Sequence, residues 1–92
     1  MSRVSVVVPV LNGARTLPRC LGALERLDPA PLEIILVDNG STDGSLELLR
    51  AFVEPRPGAR LVEEGRRGAA AARNAGIRSA VGELVAFTDC DC

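Results

Sequence analysis

Ninety-two residues with a formal net charge of −1 make one domain, and no long run of basic residues offers a surface for nucleic acid or an anionic membrane. Nearly half the residues are apolar (47%), chiefly Ala, Leu and Val, and Phe52 and Phe87 are the only aromatic ones, so stacking on rings cannot carry binding. The chain has no His, which excludes Ser-His-Asp and Cys-His catalysis.

Val4 to Val8 is a continuous β-branched-rich run, the pattern of a strand covered on both faces in a parallel sheet, and Pro9 is expected to end its ladder. Pro9 and Asn12-Gly13 break the run too early for a signal-peptide core or a membrane span, so a soluble, cytoplasmic protein is expected. Leu17, Cys20, Leu21, Leu24 and Leu27 recur at helical spacing, with Thr16 as N-cap and Pro18 in the first turn. Asp28-Pro29-Ala30-Pro31 closes that helix. Leu32 to Val37 predicts a second strand, ending on Asp38 and the turn Asn39-Gly40-Ser41-Thr42-Asp43. Leu46, Leu49, Phe52 and Val53 mark a second helix, capped by Asp43 or Ser41 and stopped before Pro55. Arg60 to Glu63 reads as a short third strand and Gly65-Arg66-Arg67-Gly68 as a mobile basic loop. Ala69 to Val81 predicts an Ala-rich helix in which Gly76 permits close approach to a neighbour, and Leu84 to Thr88 a fourth strand.

The order βαβαβαβ with right-handed crossovers predicts an α/β, Rossmann-like open parallel sheet with helices on both faces, built from residues 1–92 as a single domain. A chain that stops just after its fourth strand leaves an apolar edge, so either a truncated larger protein or a homodimer paired through that strand is expected. Cys20, Cys90 and Cys92 are odd in number and lack both scaffold spacing and a His partner. They read as free thiols of a reducing compartment rather than as disulfides or half a zinc site.

Three strand ends, at Pro9-Val10-Leu11-Asn12, at Asp38 and at Asp89-Cys90-Asp91, therefore share one rim, where open α/β sheets bind ligands. Asp89 and Asp91 offer oxygen ligands suited to Mg²⁺ or Mn²⁺, with a diphosphate completing the coordination, although paired acids also arise by chance. Asp38 is placed to accept hydrogen bonds from a base or ribose, the plain alternative being a turn-forming Asp. Asp43 reads as a helix cap. Arg66 and Arg67 read as solvated loop residues, whereas Arg73, among small packable residues, calls for an ion pair with Asp38 or for a ligand. Neither G-x-G-x-x-G nor a P-loop is present.

Taken in order and spacing, four segments resemble the N-terminal, nucleotide-sugar-binding half of the family-two glycosyltransferases of the GT-A fold. They are Val4 to Asn12, Leu36 to Asp43, Gly68 with Ala72-Arg73-Asn74-Ala75-Gly76-Ile77, and Phe87-Thr88-Asp89-Cys90-Asp91. The resemblance covers essentially the whole chain. It implies that Pro9, Leu11, Asn12, Asp38, Asn39 and Gly40 cradle the base and ribose and that Arg73 lines the nucleotide pocket. It also implies a D-x-D motif, with Asp89 toward the ribose and Asp91, beside Asp89, toward the metal. The implied reaction is inverting transfer of a sugar from a nucleoside diphosphate to an unnamed acceptor, the metal stabilising the departing diphosphate. Leu11 stands where the family usually has Tyr, and Asn39 where a second Asp is common. In the family, the acceptor-binding half and the acid that deprotonates the acceptor lie downstream, so these residues alone are expected to bind donor without the groups for turnover. The competing expectations are a non-catalytic module that self-associates through the fourth strand and a flavodoxin-like domain that shows no metal effect.

Overall fold

The computed structural model describes residues 3–28 and 30–89. Along the chain run β1 (Val4–Val10), α1 (Leu17–Glu25), β2 (Glu33–Asp38), α2 (Ser45–Val53), β3 (Ala59–Glu63), α3 (Ala69–Ser79) and β4 (Leu84–Phe87). The strands form one parallel sheet in the order β3-β2-β1-β4. The expected Rossmann-like sheet is therefore present, and its order reverses between β1 and β4.

Alternation along the strands divides the core in two. Val6, Val8, Val10 and Leu36 pack with Leu17, Leu21 and Leu24 of α1 and with Leu49 and Phe52 of α2. On the other face Val7, Ile35 and Val37 meet Ala72 and Ala75 of α3. Small residues let α3 lie close. An added Cβ on Gly76 would stand 2.3 Å from Val7 Cγ1, which is why this helix position has no side chain.

Pro9 does not end its strand. Within a strand, one residue's N–H and C=O point to the same neighbour, and the next residue's point to the other. The carbonyls of Val4 and Val10 accept from Leu32 and Asn39 on the β2 side, whereas those of Arg3 and Val7 accept from Leu84 and Thr88 on the β4 side. Pro9 thus directs its donor-less nitrogen toward β4, beyond the last pair, Val7 with Phe87. No bond to β2 is lost, and β1 continues to Val10.

Other boundaries shift for non-local reasons. Leu32 lies outside β2, and β3 begins one residue earlier than expected, at Ala59. Ser79 ends α3 instead of Val81: Ala80 turns extended (ψ 138°), and the Val81 N–H donates to Glu33 Oε2 at 2.7 Å. Thr16 occupies the N-cap position of α1 but makes no side-chain capping bond there. Cys20 is disulfide-bonded, which corrects the expectation of three free thiols and removes the cysteine argument for a reducing compartment. Cys90 and Cys92 lie outside the described residues. No helix among the described residues is long and apolar enough to cross a membrane.

Candidate functional site

At the carboxyl ends of the strands, two loops are fastened to each other. The three successive amides of Asn12, Gly13 and Ala14 donate to Ser41 Oγ (2.9 Å), Ser45 Oγ (2.9 Å) and Asp43 Oδ2 (3.1 Å). Thr42 N–H donates back to Asn12 Oδ1 (2.7 Å). Asn12 does this from the left-handed region, φ 51°, which Asn enters more readily than most residues. Asp43 Oδ1 also accepts from the amide and hydroxyl of Ser45, at 3.0 and 2.6 Å. Neither expected residue is the N-cap of α2, which is Gly44 at φ 93°: Asp43, one residue earlier, accepts from Ser45 at the first helical position, while Ser41 serves Asn12. The Ser45 hydroxyl, ahead of the backbone donors, holds the Asp43 carboxyl below the ordinary range.

Asp38 ends β2 almost wholly buried, 4% exposed. Its Oδ2 accepts from Ser41 N–H at 3.2 Å, but its Oδ1 is buried without a hydrogen-bond partner. Such an orphaned acceptor costs about 1–3 kcal/mol. The ion pair with Arg73 that would have relieved it does not form. Arg73 is exposed on α3, directly after Ala72.

The expected mobile loop is tied down. Asn39 Nδ2 donates to the carbonyls of Glu64 (3.0 Å) and Arg66 (2.7 Å). The Glu64 carboxylate accepts from the Arg66 amide at 3.1 Å and pairs with the guanidinium groups of Arg66 and Arg78. The Arg66 amide is the largest cause holding the Glu64 carboxyl below its usual range. Arg67 remains exposed.

Two clefts adjoin this rim. The smaller, about 190 Å³, is lined by Pro9, Leu11, Asn39 and Asp89 of the expected site, together with Gly68, Ala69 and Ala72 at the start of α3. The larger, about 780 Å³, opens between α1 and the β4 edge over Leu24, Leu27 and Phe87, with Arg15, Arg19 and Thr88 also in its lining. The smaller cleft is lined by the carboxyl-end loops of β1 and β2 and the start of α3, with Asn39 and Asp89 as its polar side chains, and this place at the strand ends favours it as the ligand site. Asp89 borders both. Asn12, Asp38, Gly40 and Arg73 are not in the small cleft's lining. Gly40, at φ 89°, makes the turn beyond Asp38.

Sequence patterning did not single out Ala69 and Ala72 as walls of this cleft, because alanines on an Ala-rich helix carry no chemical signal. The Gly68 signal was stronger: it stands at the N-cap of α3 with φ 113°, a conformation suited to Gly. Carboxylates are the hard donors that Mg²⁺ and Mn²⁺ prefer, and Asp89 sits at the rim as one of them. Asp91 lies outside the described residues, and among the described residues no group of three His, Cys, Asp or Glu is arranged to hold a metal.

A family model described as glycosyl transferase family 2 matches residues 5–92. Glycosyltransferase AglE of Haloferax volcanii is 39% identical over 97% of this chain, and the uncharacterized glycosyltransferase YibD of Escherichia coli 38% over 98%. The chain spans only 30% and 26% of those relatives. Among solved structures, the mannosyltransferase PcManGT from Pyrobaculum calidifontis, in complex with GDP-Man and Mn²⁺, superposes with a TM-score of 0.85 at 41% identity. The match covers 97% of this chain and 27% of that one. Staphylococcus aureus TarS in complex with UDP superposes at 0.84 with 28% identity, over 99% of this chain and 28% of its own.

Proposed function

Because this chain belongs to glycosyl transferase family 2, we propose that residues 1–92 are its nucleotide-sugar-binding domain and that the small cleft at the carboxyl ends of β1 and β2 receives the nucleotide. The observation that carries this reading is Asp38 Oδ1, a buried acceptor left without a donor at the strand end where the sheet's ligands bind. A ribose hydroxyl or a base N–H supplies the missing donor once the carboxylate turns toward it. Pro9, Leu11 and Asn39 border the nucleoside, Asn12 and Gly40 fix the loops around it, and Arg73 meets the phosphates from α3. The GDP-Man and UDP complexes of the similar proteins support this choice of ligand.

Asp89 and Asp91 would hold Mg²⁺ or Mn²⁺, and the Mn²⁺ of the mannosyltransferase complex supports a divalent ion. The ion would neutralise the leaving diphosphate during inverting transfer to an acceptor. Acceptor binding and its deprotonating base are assigned to parts of a longer enzyme, consistent with the quarter to third of its relatives that this chain spans. Calorimetric titration with GDP-sugars and UDP-sugars, with and without Mn²⁺, tests the proposal. Metal-dependent heat with one of them is expected; no heat with any would overturn it.

A second reading rests on the β4 edge, where Leu84 is 59% and Phe87 44% exposed. Self-association through this strand would cover both. Sedimentation at several concentrations tests it, and a strict monomer contradicts it.

A further inference from the structure

Asn39 reaches partners 25 and 27 residues away in the sequence. Its side-chain amide is 92% removed from solvent together with the rest of the residue, and it spends both N–H groups on main-chain carbonyls, Glu64 at 3.0 Å and Arg66 at 2.7 Å. Those carbonyls belong to the segment between β3 and α3 that delivers Gly68 and Ala69 to the wall of the small cleft. Asn39 itself lines the same cleft. One side chain therefore joins the floor of the cleft to its far wall.

The segment has four further ties, all through Glu64. Its N–H donates to the Asp38 carbonyl (2.8 Å), and its carboxylate takes the Arg66 amide and guanidinium and the Arg78 guanidinium of α3. Between Arg66 and the first helical residue, Ala69, the described hydrogen bonds include no other tie to the rim. Gly68, at φ 113°, belongs to the helix that follows, its carbonyl accepting from the Ala72 N–H at 3.2 Å. The Asn39 bond to the Arg66 carbonyl is thus the last fixed point before the wall.

We infer that Asn39 is a positioning residue that holds the β3–α3 segment in its ligand-ready place, so that the nucleotide cleft is formed before the nucleotide arrives. The inference rests on the nucleotide reading of the cleft for its effect on affinity, but not for its effect on the loop. An ionised Asp at this position has the same shape and no hydrogen to donate. It would set two lone-pair-bearing oxygens against two carbonyl oxygens. The wall would then sample open positions, and a ligand that needs the closed one binds more weakly in proportion to the closed fraction.

The test uses N39D and, should that variant fold poorly, N39A, each in the 92-residue chain. Hydrogen exchange of backbone amides is read without ligand, beside calorimetric titration with GDP and UDP in Mn²⁺. Two lost hydrogen bonds predict exchange faster by about tenfold or more at the Arg66 and Ala72 amides, which donate to Glu64 Oε2 and to the Gly68 carbonyl, with the amides of β1 and β2 unchanged. Nucleotide affinity should fall by about tenfold. Unchanged exchange at Arg66 and Ala72 would overturn the inference. So would an increase spread equally over the strands, which would make Asn39 a general structural residue. If the parent chain binds neither nucleotide while N39D speeds exchange only at Arg66 and Ala72, the clamp stands and the nucleotide reading fails.

Discussion

β2 begins and ends on a buried carboxylate, and the fold treats the two oppositely. Glu33, at the amino end and 7% exposed, has every oxygen engaged. Its Oε2 accepts from the Ser5 hydroxyl (2.6 Å) and the Val81 amide (2.7 Å), and its Oε1 from Arg60 (2.6 Å). Ser5 Oγ in turn accepts from Gly82 N–H at 2.9 Å, and Arg60 also reaches the Ser79 carbonyl. This network ties β1, β2, β3 and the α3–β4 turn together. Asp38, at the carboxyl end, keeps one buried oxygen with no donor. Glu33 is saturated by the protein itself, as a group that serves stability should be, and the unmet oxygen of Asp38 is the feature on which its proposed ligand role rests.

The contrast is broken most directly at the base. Replacing Glu33 by Ala strands the Ser5 hydroxyl and the Val81 amide and leaves Arg60 without its carboxylate, so a loss of about 3 kcal/mol is expected in urea denaturation. A loss below about 1 kcal/mol would show that the network contributes little. Gly76→Ala pushes a methyl group into the fully buried Val7 between α3 and β1, and about 1–3 kcal/mol should be lost. Neither change touches the rim.

Acid sharpens the same comparison. Burial raises the Glu33 carboxyl, but the Ser5 hydroxyl, the Val81 amide and Arg60 together outweigh it and leave the group below its ordinary range. A carboxyl depressed in the folded state stabilises above its unfolded pKa, and that contribution is lost as pH falls through the folded value. Denaturation midpoints of the parent should therefore drop on acidification below the ordinary carboxylate range. In Glu33→Gln this part of the pH dependence should vanish, and an unchanged slope would assign the acid response elsewhere.

At the rim the expected effects move from stability to binding. Arg73 is exposed and has no ion pair among the described residues. Arg73→Ala should leave stability within about 0.5 kcal/mol of the parent while weakening nucleotide binding. A stability loss with intact binding would reverse its assignment.

What could be read before folding was what local pattern encodes. β1 and β2 were visible because unbroken Val and Ile runs mark strands covered on both faces, and Asp38 was visible because it stands where such a run meets a turn. Glu33 was invisible as a network centre, since its donors lie 28, 27 and 48 residues away. The early end of α3 had the same cause, because Val81 gives its amide to Glu33 rather than to the helix. Asn39 showed only as a departure from the family's second Asp, and its reason, two carbonyls of the β3–α3 segment, is a matter of tertiary placement. Asp38 declared its position in the sequence but not its unmet oxygen.

Asp38→Asn, followed by both chemical denaturation and titration with GDP-sugar and UDP-sugar in Mn²⁺, tests the central claim most directly. The substitution keeps the shape and an acceptor for Ser41 but replaces the orphaned oxygen or its charge, so stability should hold or rise while nucleotide binding is lost. A variant that unfolds more easily yet binds as the parent does would contradict the account, because Asp38 would then belong with Glu33 among the groups that hold the fold.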